Sequence, residues 1–324
     1  MSTVSSLSRR LRLSRAADEF ALTAVMLFLA VTVVRWLRGP ASALYVEDLD
    51  AALAAIGGLS GAILTGLIFS PPGRRSGGHL NPAVTVSLWL MGVFPGRSVV
   101  PYVLAQLAGS AAGTGLGRLV WGHAVSLPSV DYAAIAPAPT WQPTSVFVAE
   151  AGSMTIIIVA VGFTMAHVRY ARLVPYVIGL SVALVIAVLG PRSGGSINPA
   201  RQFGPAALAG QSTDLWIYLV APVLGAVLGA WLHHLLSRRR PLTHKVRVPA
   251  SKQSPPEGNA AAGVSRRSSI RTPAATGVES LPGTLPLPSR LAIDVVVRDT
   301  PLHCIWTNDI QTSKDGFPSA PPPL

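Results

Sequence analysis

Gly77-Gly78-His79-Leu80-Asn81-Pro82-Ala83 follows one long apolar stretch of this 324-residue chain, and Gly194-Gly195-Ser196-Ile197-Asn198-Pro199-Ala200 follows another, 117 residues later. Proline suits the first turn of a helix, where its missing N–H costs nothing, and Asn is a preferred N-cap. Each copy therefore predicts a short helix, over residues 82–91 and 199–208, too short to cross about 30 Å of hydrocarbon. The glycines let the preceding loops turn tightly. Irregular backbone at membrane depth is tolerated only where it is buried in protein or lines a water-filled cavity. One Asn-Pro would read as an ordinary helix start. Two at equivalent places in a repeat read as a device.

Working outward, uncharged stretches of spanning length flank both copies: residues 51–73, 98–117, 173–191 and 215–237. A fifth span, 143–167, is interrupted only by Glu150, and a first runs from about 17 to 37. Six spans and two half-helices follow. Each half has three spans, an odd number, so the halves (about 17–122 and 142–237) run in opposite senses as an inverted repeat. The first spans also match in part: Asp18-Glu19-Phe20-Ala21 against Ala149-Glu150-Ala151-Gly152. The predicted fold is all-α and polytopic.

Composition agrees. Half the residues are apolar and 12% are charged, against about 25% charged in soluble domains. Mean hydropathy is +0.47. One cysteine, Cys304, excludes a disulfide framework or a multi-thiolate zinc site. The net charge of +12 sits in tails and short loops without interleaved aromatics, so nucleic acid is not an expected partner. Arg9, Arg10, Arg12 and Arg15 precede span one; Arg74 and Arg75, Arg169 and Arg172, and Arg238–Arg240 fall on the same side. By the positive-inside rule both termini are expected to be cytoplasmic, in a cell membrane. Residues 1–16 read as a cytoplasmic N-terminal segment. Residues 238–324, rich in Pro, Ser and Arg, read as a disordered cytoplasmic tail. Within it, 238–247 fits an anionic lipid surface as well as simple topogenic bias, and Arg266-Arg267-Ser268-Ser269 has the form of a basophilic kinase site.

Ser76 to Thr85, Ala105-Gln106-Leu107-Ala108-Gly109, Asn198-Pro199-Ala200-Arg201 and Phe203-Gly204-Pro205 together resemble the major intrinsic proteins, the aquaporins and glycerol facilitators, over residues 17–237. The resemblance implies a homotetramer with one pore per subunit, passing water and small neutral solutes across the lipid bilayer, with no cofactor, metal or catalytic group. Asn81 and Asn198 would offer amide N–H groups to solute oxygen. Arg201 would repel cations and bond hydroxyls at the extracellular constriction. Glu19 and Glu150 read either as a proton relay or, by the resemblance, as acceptors bracing the Asn-Pro-Ala loops. His79 reads as a brace of its loop, and His233 and His234 as interfacial.

The resemblance also places Ile186, Gly195 and Arg201 at the constriction. A fourth member comes from span two and is Gly61 by ungapped counting or Gly57 by aligning Gly58-Leu59-Ser60; the stretch 70–75 holds a possible insertion. Gly, Ile, Gly, Arg is wide and departs from strict water channels, which place an aromatic and a histidine there. Gln202 departs from glycerol facilitators, which carry Asp. Tyr218-Leu219 and Ala206 look like the nodulin-like intrinsic proteins and their bacterial relatives. The expected function is a passive channel for water, glycerol, urea and neutral metalloid acids such as arsenous acid. A strict water channel, a proton-coupled secondary transporter using Glu19, Glu150 or Asp214, and a non-conducting scaffold are the other classes.

Overall fold

A computed structural model describes the backbone of residues 2–237, with side chains from residue 12 onward. Ten helices follow in order: α1 Ser2–Arg38, α2 Leu49–Phe69, α3 Pro71–Ser76, α4 Pro82–Leu90, α5 Val99–Trp121, α6 Pro143–Ala166, α7 Val168–Ala171, α8 Val174–Leu189, α9 Pro199–Ala209 and α10 Leu215–Ser237. No strand occurs among the described residues. The expectations for the tail 238–324, including its lipid and kinase motifs, lie outside the described residues.

Among the described residues five helices are long and apolar enough to cross a membrane; the sixth expected span is the shorter α8. At 16 residues it covers about 24 Å. It stops at Leu189 because the chain must leave the helix early to carry Gly194 and Gly195 into the bundle. Helix α1 begins well before the apolar run, so residues 2–16 of the expected N-terminal segment 1–16 are helical. The stretch 70–75 forms its own element. Ser70 ends α2 and caps α3, accepting from Gly73 N, and Gly77 at φ 101° closes α3.

The helices meet through small residues, the usual route to close packing in lipid. On α5, Gly109, Gly113 and Gly117 lie against Thr23, Ala24 and Val31 of α1. On α10, Gly225 and Gly229 lie against Ala151 and Ile158 of α6. These pairings are equivalent in the two halves: first span on third in each. Contact across the halves comes from α2 on α8, α5 on α9 and α10 on α4. In the first of these a Cβ built on Gly57 falls 2.6 Å from the Ala183 carbonyl, and one on Gly61 strikes the Gly179 carbonyl. Large apolar side chains such as Leu119, Val148, Ile156 and Leu180 are exposed around the outside, as a lipid-facing surface requires.

Candidate functional site

The two Gly-rich loops take the same shape. Gly77, Gly78 and Leu80 have φ of 101°, 59° and 49°; Gly194, Gly195 and Ile197 have 89°, 63° and 46°. A left-handed Leu or Ile costs about 1–2 kcal/mol, so something must hold each loop. A fully buried carboxylate does. Glu19 Oε1 accepts from Ser76 Oγ at 2.7 Å and His79 N at 3.0 Å, while Oε2 accepts from Leu80 N at 2.8 Å. Glu150 Oε1 accepts from Ser193 Oγ at 2.9 Å and Ser196 N at 3.1 Å, while Oε2 accepts from Ile197 N at 2.6 Å. Each serine hydroxyl also accepts from the second glycine, and a tyrosine hydroxyl, Tyr102 or Tyr218, donates to each serine carbonyl. The carboxylates thus serve as multi-acceptor braces of backbone N–H groups that have no other partner.

The braces present Asn81 and Asn198. Each caps its helix: Asn81 Oδ1 accepts from Ala83 N at 2.8 Å, Asn198 Oδ1 from Ala200 N at 2.9 Å. Each amide then donates across the interface, Asn81 Nδ2 to Ile197 O at 3.0 Å and Asn198 Nδ2 to Leu80 O at 2.9 Å. The N-termini of α4 and α9 therefore meet, and their lengths of 9 and 11 residues together span about 30 Å. An amide NH2 has two hydrogens, so one remains on each Asn. Both aspargine side chains, with two positive helix ends behind them, line one continuous cavity.

That cavity is mostly apolar. Met26, Ile63, Leu64, Val84, Met154, Ile157, Ile178, Val182 and Ile186 make its wall, and Ser60, His79, Asn81, Ser87, Ser196, Asn198 and Arg201 interrupt it. Few polar points on an apolar wall let a small solute exchange hydrogen bonds without being held. Ile186, Gly195 and Arg201 are all on this lining. Arg201 Nη1 donates to Ala133 O at 2.7 Å, which orients the guanidinium.

The α2 contribution differs from the expectation. From α2 the side chains of Ser60, Ile63 and Leu64 line the cavity, while Gly57 and Gly61 are buried in the α2–α8 contact. Adding a Cβ at Gly57 would meet Ile186 Cβ at 3.3 Å, so this glycine lets α8 bring Ile186 close. His79 braces its loop as a ring: Nδ1 lies 3.1 Å from Thr85 Oγ1, and Phe94 and Tyr102 pack at 4.7 and 5.2 Å. Its Nε2 is buried without a hydrogen-bond partner. His233 lies at the end of α10, edge-on to Phe163 at 5.2 Å. No group of three or more His, Cys, Asp or Glu is placed to hold a metal among the described residues.

Several residues at the site had no structural role assigned to them from sequence. Gln106 Nε2 donates to Glu19 Oε2 at 2.8 Å and to Thr85 Oγ1 at 3.0 Å. Ser110 on α5 donates to Ala200 O and accepts from Gly204 N at 2.9 Å, the two ends of one i→i−4 helical pair in α9. Gln202, 2% exposed, accepts from Ile135 N at 2.9 Å and donates to Ile135 O at 2.7 Å. Ser76 and Ser193 carried a signal, since each stands five residues before an Asn of the repeat. Gln202 and Ser110 carried none, because their partners are set by tertiary contact.

A family model described as Major intrinsic protein matches residues 6–233. Over 208 residues the chain is 36% identical to a probable aquaporin AqpM of Archaeoglobus fulgidus, covering 59% of this chain and 83% of that protein. It is 36% identical over 167 residues to a probable aquaporin NIP7-1 of Arabidopsis thaliana, covering 51% and 58%. It is 35% identical over 192 residues to the propanediol uptake facilitator PduF of Citrobacter freundii, covering 50% and 71%. The X-ray structure of the aquaglyceroporin from Plasmodium falciparum superposes with a TM-score of 0.60 at 20% identity, covering 68% of this chain and 95% of that one, which speaks for the fold alone. With paired Asn-Pro-Ala half-helices inside a bundle of apolar spans, this chain belongs to the major intrinsic protein family, a family of aquaporin and glycerol channels and not of enzymes.

Proposed function

We propose that this chain is a passive channel for water and small uncharged hydroxylated or amide solutes: glycerol, urea and neutral metalloid acids such as arsenous acid. It works as a homotetramer in the cell membrane with both termini cytoplasmic. The observation that carries the solute class is that the cavity lining that holds Arg201 also holds Ile186 and Gly195. Ile186 and Gly195 bring no aromatic ring and no imidazole to that lining, so a constriction made with Arg201 would offer an aliphatic side chain, a backbone and a guanidinium. An apolar wall facing forked donors suits a solute with a carbon face and an oxygen face. A relative named as a propanediol facilitator supports the same class. At the midplane the free N–H of Asn81 and of Asn198 would bond a passing oxygen from both sides, and the opposed helix ends would repel hydronium.

Stopped-flow light scattering on proteoliposomes tests the reading, with water, glycerol, urea and arsenous acid measured in parallel against empty vesicles. Glycerol flux well above background, lost in Ile186→His while water flux persists, is the expected result. Movement of water alone would make this a strict water channel. Flux that follows an imposed proton gradient would make it a coupled transporter.

A further inference from the structure

We infer that Gln202 is a positioning residue for Arg201, acting through the turn at residues 131–135; the inference rests on the reading of Arg201 as a constriction residue. The two are neighbours on the first turn of α9 and face different ways. Arg201 lines the cavity, and its guanidinium bonds the carbonyl of Ala133 at 2.7 Å. Gln202 is buried, and its amide bonds both backbone groups of Ile135, two residues further on. This pairing resembles one rung of a strand ladder supplied by a side chain. It fixes the height and direction of the turn relative to α9.

The turn needs such a fixture. Asp131, Tyr132 and Ala133 have φ of 42°, 54° and 61°, three non-glycine residues in succession in the left-handed region. L-residues do not hold that shape by local preference. Two bonds close the turn internally, Ala133 N to Val130 O at 2.7 Å and Ala134 N to Asp131 O at 2.8 Å. The rest comes from the segment that bears Arg201. Gln211 Nε2 donates to Asp131 Oδ2 at the upstream end, and Gln211 N is itself tied to Ala206 O of α9 at 2.9 Å. Gln202 holds the downstream end. The Ala133 carbonyl is thus clamped between two glutamines before and after it, and the guanidinium points where that carbonyl lets it.

The same clamp reaches the constriction's backbone. Ile135 sits where a Cβ on Gly194 would stand, and Ala138 N bonds Arg192 O at 2.8 Å. Loosening Gln202 therefore frees Arg201 and the loop that carries Gly195 together, which alters selection among solutes more than water flow itself.

The experiment uses the full-length protein in liposomes and reads the ratio of glycerol to water permeability in Arg201→Ala, Gln202→Met and Gln211→Ala. Methionine keeps the volume of Gln202 and removes both bonds. Gln202→Met and Gln211→Ala are each expected to shift the ratio in the same direction as Arg201→Ala, by about threefold or more, the factor that one hydrogen bond represents. A purely structural role would lower both permeabilities in parallel. That outcome, or a wild-type ratio in Gln202→Met while Arg201→Ala changes it, overturns the inference and leaves the constriction reading standing. An unchanged ratio in Arg201→Ala overturns the constriction reading and the inference with it. Should Gln202→Met fail to fold, Gln211→Ala at the opposite anchor decides on the same criterion.

Discussion

Replacing Glu150 by Gln removes a charge and one acceptor while keeping the shape. In the structure Glu150 Oε1 takes two donors and Oε2 takes Ile197 N at 2.6 Å. A glutamine satisfies two of the three by placing its carbonyl at Oε1. Its NH2 then faces the Ile197 N–H, donor against donor, inside the protein. Losing that bond and leaving a buried N–H unpaired costs about 1–3 kcal/mol, and more where the acceptor was charged. Weakening the two remaining bonds adds about 1 kcal/mol, given that interactions inside membrane proteins average near 0.6 kcal/mol each. The expected loss is about 2–4 kcal/mol, measured as the shift in unfolding midpoint in a detergent titration. Water permeability per protein chain should fall as well, because Ile197 positions the Asn81 amide through Ile197 O. Glu19→Gln should cost a similar amount, since Gln106 can turn its amide to meet the new NH2 but Leu80 N is still orphaned. Glu150→Gln with unchanged stability and unchanged flux would refute the bracing role. Unchanged stability with loss of flux driven by an imposed proton gradient would instead mark Glu150 as a proton carrier.

Other substitutions probe other links. Gly61→Val drives a side chain into the Gly179 carbonyl and should separate α2 from α8, costing about 1–3 kcal/mol; its unfolding midpoint checks this. Ser110→Ala leaves Ala200 O and Gly204 N without their bridge, and should lower the midpoint by about 1–3 kcal/mol and reduce flux through α9. Burial holds the Asp131 carboxyl above its usual range, a shift that the bond from Gln211 opposes. A raised acid destabilises the fold where it is ionised, so the penalty is absent below about pH 4 and complete above the raised value. Asp131→Asn should therefore melt above wild type at pH 7, with the gap closing as pH falls toward 4; a gap independent of pH would refute that account.

The repeat, the six apolar runs and the two Asn-Pro-Ala segments were legible because they rest on local rules: length against hydrocarbon thickness, proline at N1, asparagine at the cap. Observed helix limits of Pro82–Leu90 and Pro199–Ala209 lie within one residue of those read from the chain. Glu19 and Glu150 stood out as carboxylates within apolar spans, though the N–H groups they accept became visible only in the fold. Span two shows where local reading ends. Helix α2 has few polar residues, and Ser60 faces the cavity while Thr65 bonds Pro175 O of α8, so its 3.6-residue period does not mark a single direction. Two glycines four residues apart then look equally fit for the lumen. In the fold both press against α8, and Ser60 turns to the cavity.

What the sequence determined by itself is the membrane-spanning, inverted-repeat channel architecture, since burying about 20 apolar residues at a time admits few alternatives. Which side of α2 faces the cavity, how α9 is spliced by Ser110, and how the 131–135 turn is clamped onto Arg201 were decided by tertiary structure. Those choices depend on contacts between residues roughly 70 to 120 positions apart, and no local pattern encodes which partner a buried Gln or Ser will meet.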